Sequence, residues 1–343
     1  QDLLLNLPDD CIYAIFDFLN REDLDVLQQV SQNMTDLVTL VRPRVRKSAA
    51  SLEIFKDNDG DIHVNVIRRQ ANHNSYCMIL RNDHSAREDA QFIKQTNMKS
   101  QVDENYQFTA IFDQSLPLFV YERIIYLSER FTYTSITISN ITIDNEFIDH
   151  LSNIAKGGSI CKMIVMFPHY RTDAHHKAFL NEVSALRPRK IKILCDMTTY
   201  DEETIVSFVN KLIENGNLNE LRISSYVPSR MFQFPLPEPF YPEIAKLVAF
   251  RVDAFTIDES GLMDVVMKRL ELSVVGTFNL SLANWTERST LITAIRNTEF
   301  VEIPSKNYLA IKSKHSIWNA IFSNPGNTER FVIKFKIYTR RSF

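Results

Sequence analysis

A short apolar pattern that returns at nearly constant spacing is the feature that most constrains the fold of this 343-residue chain. The pattern is apolar-x-x-apolar-x-apolar, and its middle apolar residue falls at positions 136, 163, 191, 221, 250 and 278, with a partial copy at 191. Successive copies are 27, 28, 30, 29 and 28 residues apart. Apolar residues at helical spacing, such as Phe179, Leu180 and Val183, lie between the copies. The pattern predicts one strand and one helix in each repeat.

A strand and a helix in each repeat make a βα solenoid, and residues 133–343 resemble a leucine-rich-repeat horseshoe. The Asn or Cys ladder that usually follows the strand in that family is mostly absent, so the resemblance implies an irregular horseshoe. An ordinary α/β domain is the alternative. The predicted fold class is therefore α/β: a small all-α module followed by an irregular βα solenoid.

The strands of such a solenoid would place one residue each in a row on the concave face of the sheet. Between the last two apolar positions of each copy stand Thr137, Ile164, Lys192, Arg222, Arg251 and Asn279. Three consecutive cations suit an acidic or phosphorylated protein segment. We therefore predict that Lys192, Arg222, Arg251 and Asn279 bind a protein substrate. The alternative is that these cations are ordinary exposed strand residues.

In the first forty residues, apolar residues instead recur at helical spacing. Pro8 and the acidic residues after it are typical of a helix start. Three apolar stripes follow: Ile12, Ile15, Phe16 and Leu19; then Leu24, Leu27, Val30 and Met34; then Leu37, Val38 and Val41. Asn20 would cap the second helix, and Pro43 would end the third. The pattern predicts a three-helix module in which Cys11 is packed.

This module resembles an F-box through Leu7-Pro8-x-x-x-Ile12-x-x-Ile15-Phe16-x-Phe18-Leu19 and Asp23-Leu24-x-x-Leu27-x-x-Val30-Ser31. Met34 occupies the position where that family usually has an aromatic residue. The continuation Val41-Arg42-Pro43-Arg44-Val45 resembles divergent F-box families of nematodes. The resemblance implies binding to Skp1, the adaptor of cullin–RING ubiquitin ligases, through Leu7, Pro8, Ile12, Ile15, Phe16, Leu19, Leu24, Leu27 and Val30. A three-helix cap on the following domain is the alternative.

These patterns predict three domains: an F-box at 3–47, a connector at 48–132 and the repeat domain at 133–343. In the connector, alternating apolar residues on both sides of 57–61 predict a hairpin. A strand at 75–80 and a helix at 116–130 are also predicted. The polar segment at 82–104 is predicted to be a mobile loop.

Composition excludes several classes of protein. Four cysteines lie far apart without a C-x-x-C pair, which is typical of a reduced intracellular protein, so we expect a cytoplasmic or nuclear location. No apolar run approaches the roughly 18 residues of a transmembrane helix. A net charge of −3 does not favour nucleic acid, and the basic residues at 330–341 are explained by a final strand. Because the chain opens on Gln1, we expect residues to be missing upstream.

No residues with the spacing of a catalytic site are found, and no cofactor is predicted. His169, Asp173, His175 and His176 form the one metal-like group, but no Cys or second carboxylate completes it. We interpret these four residues as surface polar groups near a helix start. The sequence thus predicts a non-catalytic adaptor that holds an acidic, phosphorylated or foreign protein for ubiquitination and degradation. The alternative is a scaffold or binding protein that does not engage Skp1.

Overall fold

The structure is a computed structural model that describes residues 7–16, 19, 21–41, 47–68, 75–81, 93–95, 115–155, 158–197, 200–226, 234–272, 274, 277–282, 301–304, 308–312, 317–323 and 332–338. By packing, the chain divides into two compact units. Unit 1 is Gln1–Thr137 with Asp144–Ile160, and unit 2 is Ile138–Ile143 with Cys161–Phe343. The boundaries at 47 and 132 remain predictions.

Unit 1 begins with three short helices: α1 (Asp9–Phe16), α2 (Arg21–Leu27) and α3 (Gln32–Val41). Their apolar stripes meet in a small core made of Ile12, Phe16, Leu24, Met34, Val38 and Val41. Leu19, Leu27 and Leu37 are partly buried against this core. The predicted three-helix module is therefore confirmed.

Two details of the module differ from the prediction. The second helix ends at Leu27, and Met34 belongs to α3. The cause is Ser31, whose hydroxyl oxygen accepts a hydrogen bond from the backbone N–H of Met34 at 3.2 Å and so begins a new helix. Cys11 is exposed, because it lies on the same outer face of α1 as Ile15, one helical turn further on.

The rest of unit 1 is an antiparallel sheet with two helices. Its strands are β1 (Ser48–Lys56), β2 (Ile62–Arg68), β3 (Ser75–Leu80) and β4 (Ile93–Gln95), and β5 (Phe131–Ser139) lies beside β1. The predicted hairpin, third strand and helix are confirmed, the helix as α4 (Leu118–Ser128), which precedes α5 (Asn145–Ala155). The Asp57 carboxylate closes the hairpin turn by accepting the backbone N–H groups of Asp59 and Asp61. Except for β4, the segment predicted to be a mobile loop lies outside the described residues.

Unit 2 alternates strands and helices before it ends in antiparallel strands. In chain order its elements are β6 (Thr142–Ile143), β7 (Lys162–Met166), β8 (His169–Tyr170), α6 (Asp173–Ala185), β9 (Lys190–Cys195), α7 (Glu202–Glu214), β10 (Glu220–Ser225), β11 (Phe234–Pro235), a 3-10 turn (Glu238–Phe240), α8 (Tyr241–Ile244), β12 (Ala249–Ile257), α9 (Glu259–Leu272), β13 (Thr277–Leu282), β14 (Val301–Pro304), β15 (Tyr308–Lys312), β16 (Ile317–Ser323) and β17 (Val332–Tyr338). The neighbouring strands β7, β9, β10, β12 and β13 are parallel. β13 then pairs antiparallel with β17, and β16, β15 and β14 continue the sheet.

The α/β class is confirmed, but the predicted leucine-rich-repeat-like solenoid is not, because the structure shows no solenoid. The middle and last apolar residues of every copy do lie on a strand, from β5 to β13. The segments that connect neighbouring strands differ in structure, since β11, a 3-10 turn and a four-residue helix separate β10 from β12. After β13 the sheet continues with antiparallel strands. Short connections can join antiparallel strands, whereas a βα repeat joins parallel ones. The result is a mixed sheet.

Four residues that were predicted to be surface polar groups, His169, Asp173, His175 and His176, lie around the start of α6. Thr172 caps this helix by accepting the backbone N–H of His175 at 3.3 Å. His176 contradicts the prediction, since it is only 2% exposed. Its ring lies 4.4 Å from that of Tyr170 and 4.2 Å from that of Tyr200, centroid to centroid. Burial among these rings lowers the pKa of His176 to about 4.

Arg269 fixes α9 to the chain segment that leads into β12. Its guanidinium is buried and donates hydrogen bonds to the backbone carbonyls of Ala245, Leu247 and Val248. These carbonyls follow α8, where unpaired C=O groups attract a cation. Arg269 therefore helps to hold the start of β12 in place.

We expect Arg269→Met to lower the free energy of unfolding by about 3 kcal/mol, because the backbone carbonyls of Ala245, Leu247 and Val248 lose their donor and two of these hydrogen bonds are buried. The urea midpoint of the full chain would measure the loss. Lys268→Met, which removes the exposed cation next to Arg269, is the matched control and should leave the midpoint nearly unchanged. An unchanged midpoint for Arg269→Met would contradict the anchoring role.

A second prediction concerns the buried imidazole of His176. Its pKa is lowered from 6.5 to about 4 on folding, so in that interval of pH the unfolded chain binds a proton that the folded chain does not. Stability is therefore retained above pH 6.5 and falls by about 3 kcal/mol as the pH drops to 4. Urea unfolding at pH 7 and pH 4 should show a smaller difference for His176→Phe than for the unsubstituted protein. Equal differences would show that His176 does not contribute.

Candidate protein-binding surfaces

The residues predicted to contact Skp1 divide into two groups in the folded module. Leu7, Pro8, Ile15 and Val30 are exposed, with exposed fractions of 37% for Leu7, 40% for Ile15 and 65% for Val30. The remaining five are buried or half-buried: Ile12, Phe16, Leu19, Leu24 and Leu27. Whether the exposed group binds Skp1 stays a prediction. The buried group supports the exposed one from the inside of the module.

One exposed apolar residue of the module was missed by the sequence analysis. Val26 on α2 is 65% exposed, as much as Val30. It does not belong to the apolar stripe of α2, which Leu24 and Leu27 define. An apolar residue off the stripe was the only available signal, and single exposed valines are too common for that signal to decide.

The three-helix module is attached within unit 1 near the end of α4. Asp25 of α2 forms an ion pair with Arg130 at 3.1 Å. Lys47, just after the module, donates a hydrogen bond to the backbone carbonyl of Ser128 at 2.7 Å. Ser128 is the last residue of α4, where a cation suits the free carbonyls and the helix dipole.

In unit 2, the predicted row of substrate-binding residues is assembled in register. Lys192 of β9 pairs with Arg222 of β10, which pairs with Arg251 of β12, which pairs with Asn279 of β13. Ile164 of β7 lies beside Lys192. Because these strands are parallel neighbours, successive positions are about 4.8 Å apart. The three consecutive cations, Lys192, Arg222 and Arg251, are called the cation row below.

Alternation along the strands puts the cation row on the solvent side of the sheet. Arg222 and Arg251 are exposed and Lys192 is half-buried. Their neighbours in sequence point to the opposite face and are buried: Ile191, Ile193, Leu221, Ile223, Phe250 and Val252. Of the remaining residues in the predicted column, Thr137 and Ile164 are buried.

Carboxylates already neutralise two cations on this face. Lys190 forms an ion pair with Glu220 at 2.5 Å. Arg251 holds Asp253 with two hydrogen bonds, from Nε at 2.8 Å and from Nη2 at 3.0 Å. This hydrogen bonding raises the pKa of Arg251. Within the described part of the chain, the side chain of Arg222 has neither an ion pair nor a hydrogen bond.

The described residues contain no group of three or more His, Cys, Asp or Glu side chains that could hold a metal ion. No described helix has both the length and the apolar character needed to cross a bilayer.

Comparison with known proteins supports one assignment. Residues 4–46 match the F-box domain, which covers the three-helix module whose core and exposed residues are described above. No curated protein matches the chain. No solved structure matches it either. The chain thus carries an F-box domain at 4–46.

Proposed function

We propose that this chain is the substrate-recognition subunit of an SCF-type E3 ubiquitin ligase, formed by Skp1, a cullin and an F-box protein. In this proposal the F-box binds Skp1, and unit 2 binds a protein substrate through Lys192, Arg222, Arg251 and Asn279. The observation that carries the proposal is the F-box match at 4–46 on a module with a complete core and exposed apolar residues.

The apolar residues that remain outside the core suit a protein partner. Leu7, Ile15, Val26 and Val30 are each at least 37% exposed. Covering an exposed aliphatic side chain stabilises a complex by roughly 1–2 kcal/mol. A partner that covers these four side chains would therefore gain several kcal/mol before the cost of association is counted.

The proposed mechanism needs no catalytic residue in this chain. The bound substrate is held near the conjugating enzyme of the complex, and its lysine side chains then react at a high effective concentration. The outcome is ubiquitination and degradation of the substrate. The chain acts as an adaptor, and the ligase chemistry belongs to its partners.

We expect Ile15→Asp to reduce capture of Skp1 by the full chain at least tenfold, because a charge would replace an apolar contact. Pull-down with purified Skp1 would measure the change, and Val30→Asp should act in the same direction. The matched control is Leu118→Asp on α4, which changes a residue with a similar exposed fraction, 50%, outside the F-box.

Skp1 binding that survives both Ile15→Asp and Val30→Asp would contradict the assignment of this surface. If the unsubstituted chain fails to capture Skp1, the adaptor proposal is wrong and the scaffold alternative is favoured. In that case, depletion of Skp1 would leave the half-life of the bound partner protein unchanged.

A further inference from the structure

Arg222 lies between two other cations in the sheet of unit 2. Its register partners are Lys192 on one side and Arg251 on the other. Like charges at directly opposed positions of neighbouring strands destabilise a sheet. Arg222 is exposed, so no packing requirement explains a third positive charge there. An anion bound at this position would remove the repulsion.

The surrounding residues show which anion this face accepts. A carboxylate, Glu220, pairs with Lys190, and a second one, Asp253, forms a two-point contact with Arg251. Asp253 also accepts the backbone N–H of Ser225 in β10 at 3.2 Å, which keeps its charge beside the strand of Arg222. The described residues provide no such carboxylate for Arg222 itself.

We infer that the cation row binds an acidic, unphosphorylated segment of a protein, one of whose Asp or Glu carboxylates is held by Arg222. The inference rests on the proposed function and names the substrate class for it. Arg guanidinium groups bind carboxylates with two parallel hydrogen bonds, as Arg251 binds Asp253 here. The bound segment would supply for Arg222 a carboxylate like the one that Asp253 supplies for Arg251.

The same carboxylates argue against a phosphorylated residue. Glu220 lies two residues before Arg222 on the same side of the strand, and Asp253 lies beside β10. A phosphate ester carries close to two negative charges at pH 7, whereas a carboxylate carries one. Attraction to the cations and repulsion from the two acids both grow in proportion to that charge. One carboxylate balances the charge of the Arg222 guanidinium, which has no carboxylate partner among the described residues, whereas the second charge of a phosphate would lie beside Glu220 and Asp253.

Three fluorescent peptides of equal length would test the inference by anisotropy with the full chain. One alternates Glu with Gly, one has Gln at each Glu, and one has phosphoserine at each Glu. We expect binding of the Glu peptide, weaker binding of the Gln peptide, and loss of the difference as salt screens the charges. Arg222→Glu should weaken binding of the Glu peptide roughly tenfold or more.

Two controls separate charge recognition from damage to the fold. Lys268→Glu reverses an exposed cation on α9 and should leave peptide binding unchanged. Arg222→Gln removes the charge without reversing it, and it decides the question if Arg222→Glu does not fold. Thermal melting of each variant would show whether the fold is intact.

Equal affinity for the Glu and Gln peptides, or full affinity of a folded Arg222→Gln protein, would overturn the inference. Tenfold tighter binding of the phosphoserine peptide would overturn the choice of carboxylate over phosphate. Skp1 capture is measured in parallel on the same proteins. Capture of the Glu peptide without capture of Skp1 supports the cation row and contradicts the adaptor role, so the two failures are distinguishable.

Discussion

The register of the parallel strands β7, β9, β10 and β12 is the constraint on which unit 2 depends. Side chains alternate between the two faces of the sheet. A register slip of one residue would therefore put Arg222 into the core in place of Leu221. Each buried aliphatic side chain contributes roughly 1.5–3 kcal/mol, and burying an unpaired charge costs more than that. The register is therefore strongly fixed. Because the register is fixed, so are the positions of the exposed cations, and the row exists as a consequence of the buried face opposite.

Much of this arrangement could be predicted from the sequence, because its signals are local. The apolar pattern located β7, β9, β10 and β12, and the shared offset from that pattern placed Lys192, Arg222 and Arg251 in one row before any register was known. The three helices of the F-box were found in the same way, from periodicity. Periodicity does not show how successive strands and helices pack against one another. The sheet is mixed because the strands after β13 are antiparallel, and that part of the sequence has no regular repeat from which they could be predicted.

The candidate Skp1 surface shows a second limit. Ile12, Ile15 and Phe16 belong to one apolar stripe, yet Ile15 is 40% exposed while Phe16 is 2% exposed. A stripe shows that a face is apolar but not which part of it meets the module's own core and which part is left for a partner. The sequence also does not show where one helix ends and the next begins. Ser31 is compatible with a longer second helix, but its hydroxyl accepts a hydrogen bond from the backbone N–H of Met34 and so begins the third helix. Tertiary packing makes both choices.

The two surfaces have a physical property in common. Among the described residues of the F-box, four large aliphatic side chains are exposed outside a core of six buried residues, and in unit 2 three cations share adjacent register positions. Each arrangement costs free energy in the isolated chain. Within the chain, Asp253 neutralises Arg251 and so partly offsets the repulsion among the three cations. A partner that buries the aliphatic side chains would offset the cost of exposing them on the F-box. A partner that supplies carboxylates would offset the repulsion within the cation row. One surface is apolar and the other is positively charged, so the two suit different partners, which is what the proposed adaptor role requires.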